Sequence, residues 1–134
     1  MRFTPHLYFK GDWEAALRHY ATCGLGEIKE LRRYANTPVA ERDGGAWREK
    51  VLHSVFAGPN LRLCASDRAD SEPMKGCALL LEIDDPTEAA AQFARLSDGG
   101  RITVDFKLQF CGHHYGNFTD RYGVQWAIDC PAAG

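Results

Sequence analysis

Residues 77 to 100 read CALLLEIDDPTEAAAQFARLSDGG, and this stretch predicts a strand followed by a helix. Residues 77–83 form an apolar run of the length that is typical of a buried strand. Asp85 then supplies an N-cap carboxylate, and Pro86 suits the first helical turn, where a missing N–H costs nothing. A helix is therefore expected over residues 85–97, before a Gly pair that can adopt the left-handed conformation that ends helices.

The same plan occurs earlier in the chain. An apolar strand over 3–9 is followed by a predicted helix over 12–23 and a Gly at 24. Hairpin patterns complete each copy. A repeat of about sixty residues is too long for a solenoid and indicates an internal duplication. The fold class predicted is α+β, with two paired βαβββ modules at about 1–70 and about 75–134 in a single domain over 1–134.

Further local expectations follow from periodicity. Asp12 should cap the first helix. The buried stripe of that helix is predicted to consist of Trp13, Ala16, Leu17 and Tyr20. Strands are expected over 28–34 and 102–108, and the hairpins over 51–64 and 115–128. Residues 35–49 lack periodicity and contain Pro and a Gly pair, so we expect a long loop there.

Composition excludes several classes of protein. Sixteen Lys and Arg balance eighteen Asp and Glu, which gives a net charge of −2. We therefore expect no nucleic-acid partner and no binding to an anionic membrane. No charged leader opens the chain and no apolar run reaches the roughly 18 residues of a spanning helix, so a cytoplasmic location is expected. Five widely spaced cysteines favour reduced thiols over disulfides.

Several segments carry a resemblance to a known family. They are residues 4–11 (TPHLYFKG), 19–24 (HYATCG), 51–54 (VLHS) and 65–67 (ASD), together with the most specific stretch, 117–126 (NFTDRYGVQW). Over essentially its whole length the chain resembles the vicinal oxygen chelate superfamily. It is most similar to the glyoxalase and bleomycin-resistance-like branch that is often labelled demethylubiquinone methyltransferase-like. The resemblance implies an eight-stranded sheet curled as a half-barrel around a pocket, commonly completed in a homodimer.

The resemblance also implies where a metal would be bound in this superfamily. One ligand comes from the first strand and one from the last strand of each module. The corresponding positions here are Pro5 or His6, Ala78 or Leu79, and those near Cys64 and Ala127. Only His6 and Cys64 could coordinate an ion, whereas a catalytic metal needs at least three protein ligands. The prediction is therefore that no metal and no cofactor is bound.

The candidate ligand-binding residues are His6, Tyr8, His53, Phe110, His113 and Trp126. His6 either lines the pocket or is solvated, and His53 is either an inward acid or base or hydrogen-bonded within the sheet. Adjacent His113 and His114 should point to opposite faces, so at most one enters the pocket. Trp126 can serve both the core and the pocket wall.

The function predicted is therefore a glyoxalase-like small-molecule-binding protein or an enzyme of unassigned reaction. One alternative is a metal-dependent lyase or dioxygenase that recruits His6, His53 and one of His113 or His114. Another is a protein that sequesters a planar toxic compound, as bleomycin-resistance relatives do. No Gly-rich nucleotide loop follows a strand, so the sequence gives no support for binding of the usual methyl donor.

Overall fold

The computed structural model describes residues 1–132, without the side chains of Arg42 and Asp43. Contacts divide the chain into two compact units, Met1–Glu72 and the residues from Pro73 onward, and these correspond to the two modules. Module one contains β1 (His6–Phe9), α1 (Trp13–Thr22), β2 (Glu27–Arg33), a 3-10 helix (Pro38–Gly45), β3 (Val51–Gly58) and β4 (Leu61–Asp67). Module two contains β5 (Leu79–Glu82), α2 (Pro86–Ser97), β6 (Arg101–Leu108), β7 (His114–Thr119) and β8 (Gln125–Cys130).

The two modules share one topology. The strand order is β1-β4-β3-β2 in the first sheet, here sheet A, and β5-β8-β7-β6 in the second, here sheet B. In each module the first strand pairs in parallel with the last, and the other pairs are antiparallel. The predicted α+β class with two βαβββ modules is confirmed. Its eight strands form two four-stranded mixed sheets, one in each module.

Helix α1 covers one face of sheet A. The predicted stripe of Trp13, Ala16, Leu17 and Tyr20 is buried, as expected. Asp12, however, makes no side-chain capping bond. The cap comes instead from Asp67 at the end of β4, whose Oδ1 accepts hydrogen bonds from the backbone N–H groups of Gly11 and Trp13 at 3.0 and 3.1 Å. A carboxylate from another element thus satisfies the free amides of the helix start.

Helix α2 follows its local signals more closely. The Asp85 carboxylate accepts a 2.9 Å hydrogen bond from the backbone N–H of Glu88, which confirms the predicted N-cap. Phe93 of this helix packs edge-on against Phe118 of β7, with ring centroids 5.1 Å apart. A Cβ added at Gly116 would lie 2.8 Å from both the Phe93 ring and the Phe106 backbone. Glycine therefore permits the close contact between helix and sheet at this position.

Two segments differ from the expectation. The predicted loop over 35–49 contains the 3-10 helix Pro38–Gly45, and Trp47 packs edge-on against Tyr34 at 5.8 Å. Strand β6 pairs with β7 through two register shifts, which interrupt its alternation of faces. All five cysteines are free thiols. Among residues 1–132, no helix is long and apolar enough to cross a membrane.

Candidate functional site

The face of sheet A opposite α1 carries two of the predicted site residues. Because side chains alternate along a strand, buried Leu7 and Phe9 place His6 and Tyr8 on the other face. The parallel register sets Tyr8 beside Ser66 of β4. We call the group formed by His6, Tyr8, His53, Ser66 and Arg68 the histidine face.

Short contacts connect the members of the histidine face. The His6 ring stacks on the Tyr8 ring with centroids 4.7 Å apart and lies 6.3 Å from the His53 ring. His6 Nε2 and Ser66 Oγ share a hydrogen bond of 3.0 Å. The Arg68 guanidinium lies 5.1 Å from the centre of the Tyr8 ring, at the distance of a cation–π contact. The structure thus brings His6, Tyr8 and His53 together.

The local electrostatics favour a neutral imidazole at His6. Partial burial lowers the pKa of His6, and the nearby His53 and Arg68 lower it further. Burial disfavours the charged form because it removes water, and neighbouring positive charge acts in the same direction. A neutral His6 at neutral pH can accept a proton or a hydrogen bond from a ligand.

Ser66 and Arg68 are residues of this face that sequence reasoning missed. The His6–Ser66 hydrogen bond joins residues 60 apart in the chain. The contact depends on the parallel pairing of β1 with β4, which period-2 patterning does not specify. The apolar residues Leu63 and Ala65 of β4 were the available signal that Ser66 belongs to the opposite face, where it is nevertheless buried.

The predicted histidines of module two lie on different sides of their strand. His113 Nδ1 is 2.9 and 3.0 Å from the two carboxylate oxygens of Asp129. The His114 ring instead lies 6.0 Å from the ring of Phe106. A carboxylate that accepts from Nδ1–H fixes the imidazole orientation and leaves Nε2 as the proton acceptor. Asp129 is therefore a positioning partner that the sequence did not indicate.

The two aromatic candidates of module two have contrasting surroundings. Trp126 is 1% exposed, and its indole N–H donates a 2.9 Å hydrogen bond to Asp120 Oδ2. Phe110 is fully exposed. Trp126 is thus a core residue, although it also borders a cleft of about 340 Å³ on sheet B. Phe110, His113 and Trp126 have separate surroundings within their module.

Half of the residues that line the cleft on sheet B carry uncharged polar side chains that sequence reasoning also missed. They are Thr103, Tyr115, Asn117, Thr119 and Gln125. Their signal was the alternation of β7, in which Gly116 and Phe118 are buried between them. These side chains are hydrogen-bond donors and acceptors without charge, so this cleft is suited to binding.

The side chains present do not fit the metal centre that the resemblance implies. Cys64 is the register partner of His6 in module one, whereas Leu80 and Ala127 are partners in module two. Aliphatic side chains cannot donate to a metal. Among the described side chains, no group of three or more His, Cys, Asp or Glu is placed to hold an ion. We therefore derive no step that uses a metal.

The chain is similar to known proteins in both sequence and structure. Residues 1–129 match the model of a family described as 3-demethylubiquinone-9 3-methyltransferase. The chain is 24% identical to protein YjdN of Escherichia coli (strain K12), over 96% of this chain and 95% of that protein. It is similar to the crystal structure of protein PA1353 from Pseudomonas aeruginosa, with a TM-score of 0.85, 28% identity and 99% of both chains covered.

A further structural neighbour shows the fold. The chain is similar to a bleomycin resistance determinant encoded on the transposon Tn5, with a TM-score of 0.59, 15% identity and 99% of both chains covered. At that identity the likeness concerns the fold alone. This chain thus shares its overall fold with that protein.

Proposed function

Since the chain belongs to the family described as 3-demethylubiquinone-9 3-methyltransferase, within the vicinal oxygen chelate superfamily, we propose that it is a glyoxalase-like small-molecule-binding protein or enzyme. The ligand is proposed to contact His6, Tyr8 and His53. The single observation that supports this best is the grouping of two imidazoles and a phenol on one sheet face, with the buried Ser66 hydroxyl bonded to one of the imidazoles. The reaction, where there is one, is proton transfer at a carbon or oxygen of the ligand.

The chemistry of the histidine face suits a planar carbonyl compound. The rings of Tyr8 and His6 offer flat surfaces for stacking. His6, kept neutral by its surroundings, can accept a proton while Ser66 Oγ holds the ring in place. His53, 6.3 Å away between ring centroids, can bind a second polar atom of the same ligand.

Module two supplies the remaining proposed ligand-binding residues. His113, oriented by Asp129, is proposed as a second proton acceptor. Trp126 borders the sheet B cleft, and Phe110 offers an exposed ring that a ligand could cover. We also propose that the chain acts as a cytoplasmic homodimer, since each sheet has two edge strands and exposed sheet edges favour association.

The methyltransferase wording of the family description is not extended to this chain. Nucleotide-type methyl donors are bound in other folds by Gly-rich loops between a strand and a helix. The corresponding connections here are residues 10–12 and 83–85, KGD and IDD, and neither is Gly-rich. Methyl transfer thus has no support in these connections.

The test uses 1-phenyl-1,2-propanedione, an uncharged aromatic dicarbonyl compound, as the probe. We expect saturable changes in the imidazole proton resonances of His6 and His53 and none at His19, which lies on α1. The loss of one ligand hydrogen bond costs about 0.5 to 1.5 kcal/mol. His53→Ala should therefore weaken binding by several-fold to about tenfold.

The same probe separates an enzyme from a binding protein. In D2O, a base that removes a methyl proton of the dione gives an enolate, and reprotonation at carbon introduces deuterium. Exchange that depends on His6 would indicate an enzyme, and binding without exchange would indicate a binding protein. Equal resonance changes at His19, or binding unaffected by both His6→Ala and His53→Ala, would contradict the proposed site.

A further inference from the structure

The cleft on sheet B differs from the histidine face in charge. In a chain with 25% charged residues, no Asp, Glu, Lys, Arg or His is among the described residues that line this cleft of about 340 Å³. Its volume lies near the lower end of the range for small-molecule sites, about 300 to 1,000 Å³. Its polar side chains carry hydroxyls, carboxamides and the thiol of Cys77.

Strand alternation and register explain how these groups come together. Tyr115, Asn117 and Thr119 alternate along β7 with the buried Gly116 and Phe118, so they share one face. Thr119 is the register partner of Gln125 on β8. The open face of sheet B therefore presents a continuous row of uncharged polar side chains.

Hydrogen bonds within module two hold both carboxamides of the cleft, those of Asn117 and Gln125, in position. Asn117 Nδ2 donates to the Tyr115 hydroxyl oxygen at 3.2 Å, which leaves the Tyr115 proton and Asn117 Oδ1 side by side. Gln125 Oε1 accepts a 3.4 Å hydrogen bond from the backbone N–H of Cys77. A donor and an acceptor placed together match a ligand that presents a carbonyl oxygen beside an N–H.

The absence of charged lining residues decides the charge of the ligand. An ion that enters a site loses hydration, and the loss is offset only by a counter-charge or by several strong hydrogen bonds. The described lining residues supply no counter-charge. A neutral amide loses less hydration free energy than an ion. Paired hydrogen bonds to the cleft then replace the ones that it made to water.

We propose that the sheet B cleft binds an uncharged, planar ligand through a carboxamide-like group, whose carbonyl oxygen accepts from Tyr115 and whose N–H donates to Asn117. This inference deepens the proposed small-molecule-binding function and rests on it. It assigns a ligand class to module two, where the geometry alone suggested only binding.

The test compares three probes of nearly equal shape, namely benzamide, benzoate and benzamidine, which are neutral, anionic and cationic at neutral pH. Binding to the full chain is followed by the side-chain N–H resonances of Asn117 and Trp126. We expect saturable changes with benzamide, and affinities at least about tenfold weaker for benzoate and benzamidine. An equal or higher affinity of the wild-type chain for either charged probe would overturn the proposal.

Two variants test the assignment to Asn117. Asn117→Asp places a negative charge in the cleft, so benzamide should bind several-fold more weakly and benzamidine should become the preferred probe. The matched control Asn60→Asp makes the same chemical change in the exposed β3–β4 turn and should leave all three affinities unchanged. If Asn117→Asp does not fold, Tyr115→Phe, which removes only the proposed hydroxyl donor, should still weaken benzamide binding several-fold.

Two results would overturn the inference. One is benzamide binding that neither Asn117→Asp nor Tyr115→Phe alters, and the other is no saturable change up to the solubility limit of benzamide. Because 1-phenyl-1,2-propanedione is followed at His6 and His53, its binding is measured independently in module one. Loss of the benzamide result alone would refute this inference, whereas loss of the dione result would refute the proposed function of the histidine face.

Discussion

Replacement of Asp120 tests whether one buried carboxylate holds the last hairpin of module two together. Asp120 is 3% exposed and lies in the turn between β7 and β8. Its Oδ1 accepts from the backbone N–H groups of Tyr122 and Val124 at 2.9 and 3.0 Å. Its Oδ2 accepts from the indole N–H of Trp126 at 2.9 Å. Asp120→Ala would remove all three hydrogen bonds at once.

The expected destabilisation can be worked out bond by bond. Val124 and Trp126 are buried, so their N–H groups cannot turn to water, and each costs about 1 to 2 kcal/mol when left unpaired. The Tyr122 amide lies in a half-buried turn and regains part of its hydration, so its loss costs about 0.5 to 1 kcal/mol. The sum is about 2.5 to 5 kcal/mol, which is a large part of the roughly 5 to 15 kcal/mol that keeps a domain folded.

The assay is urea unfolding followed at the Trp126 indole N–H resonance, which reports module two. Asp98→Ala is the matched control, because Asp98 also contacts the same module through Arg121 at 3.1 Å but is 77% exposed. Exposed ion pairs contribute about 0 to 1 kcal/mol, so this variant should stay close to the wild-type free energy of unfolding. If the two variants differ by less than about 1 kcal/mol, the role assigned to Asp120 is refuted.

Four further predictions use other features of the molecule. His53→Ala should raise the pKa of His6 towards its ordinary value, because one nearby positive group is removed. Partial burial still holds the pKa below that value, and an NMR titration of the His6 ring measures the change. Because the folded pKa of His6 is lowered, the unfolded chain binds more protons, so stability should fall as pH drops below about 6.5, and urea unfolding at several pH values checks this. Gly116→Ala should destabilise module two by about 1 to 3 kcal/mol, since its Cβ would lie 2.8 Å from Phe106 and Phe93, and thermal unfolding would contradict this if the melting temperature were unchanged. Light scattering should give about twice the 14.9 kDa of one chain, and a mass near 14.9 kDa at micromolar concentration would refute the homodimer.

Local signals explain which parts of the fold could be predicted. The cap of α2 is encoded by residues three apart, Asp85 and Glu88, and it was found from the sequence. The cap of α1 is supplied by Asp67, which is 54 residues from Trp13, and no local pattern indicates it. The sequence could therefore predict both helices but the capping group of only one.

For the candidate site as well, local patterns could be predicted from the sequence, whereas contacts between distant strands could not. Alternation placed His6 opposite Leu7 and Phe9, which the structure confirms. The contact of His6 with Ser66 and the pairing of His113 with Asp129 depend on strand register, which one sequence leaves open. Aromatic patterning allowed a core position for Trp126, but it could not show that the indole N–H would find a buried acceptor in Asp120.

The parallel pairing of each first strand with the last strand of its own module has a consequence for how the chain folds during synthesis. Strand β1 must wait for β4, since its only neighbour in sheet A is the final strand of the module. Such a contact of high sequence separation is slow to form, but it is available once residue 67 has left the ribosome. Module one can then complete its four-stranded sheet before β5 is made. A pause in translation after Glu72 should therefore favour correct pairing, because β8 is not yet present to pair with β1.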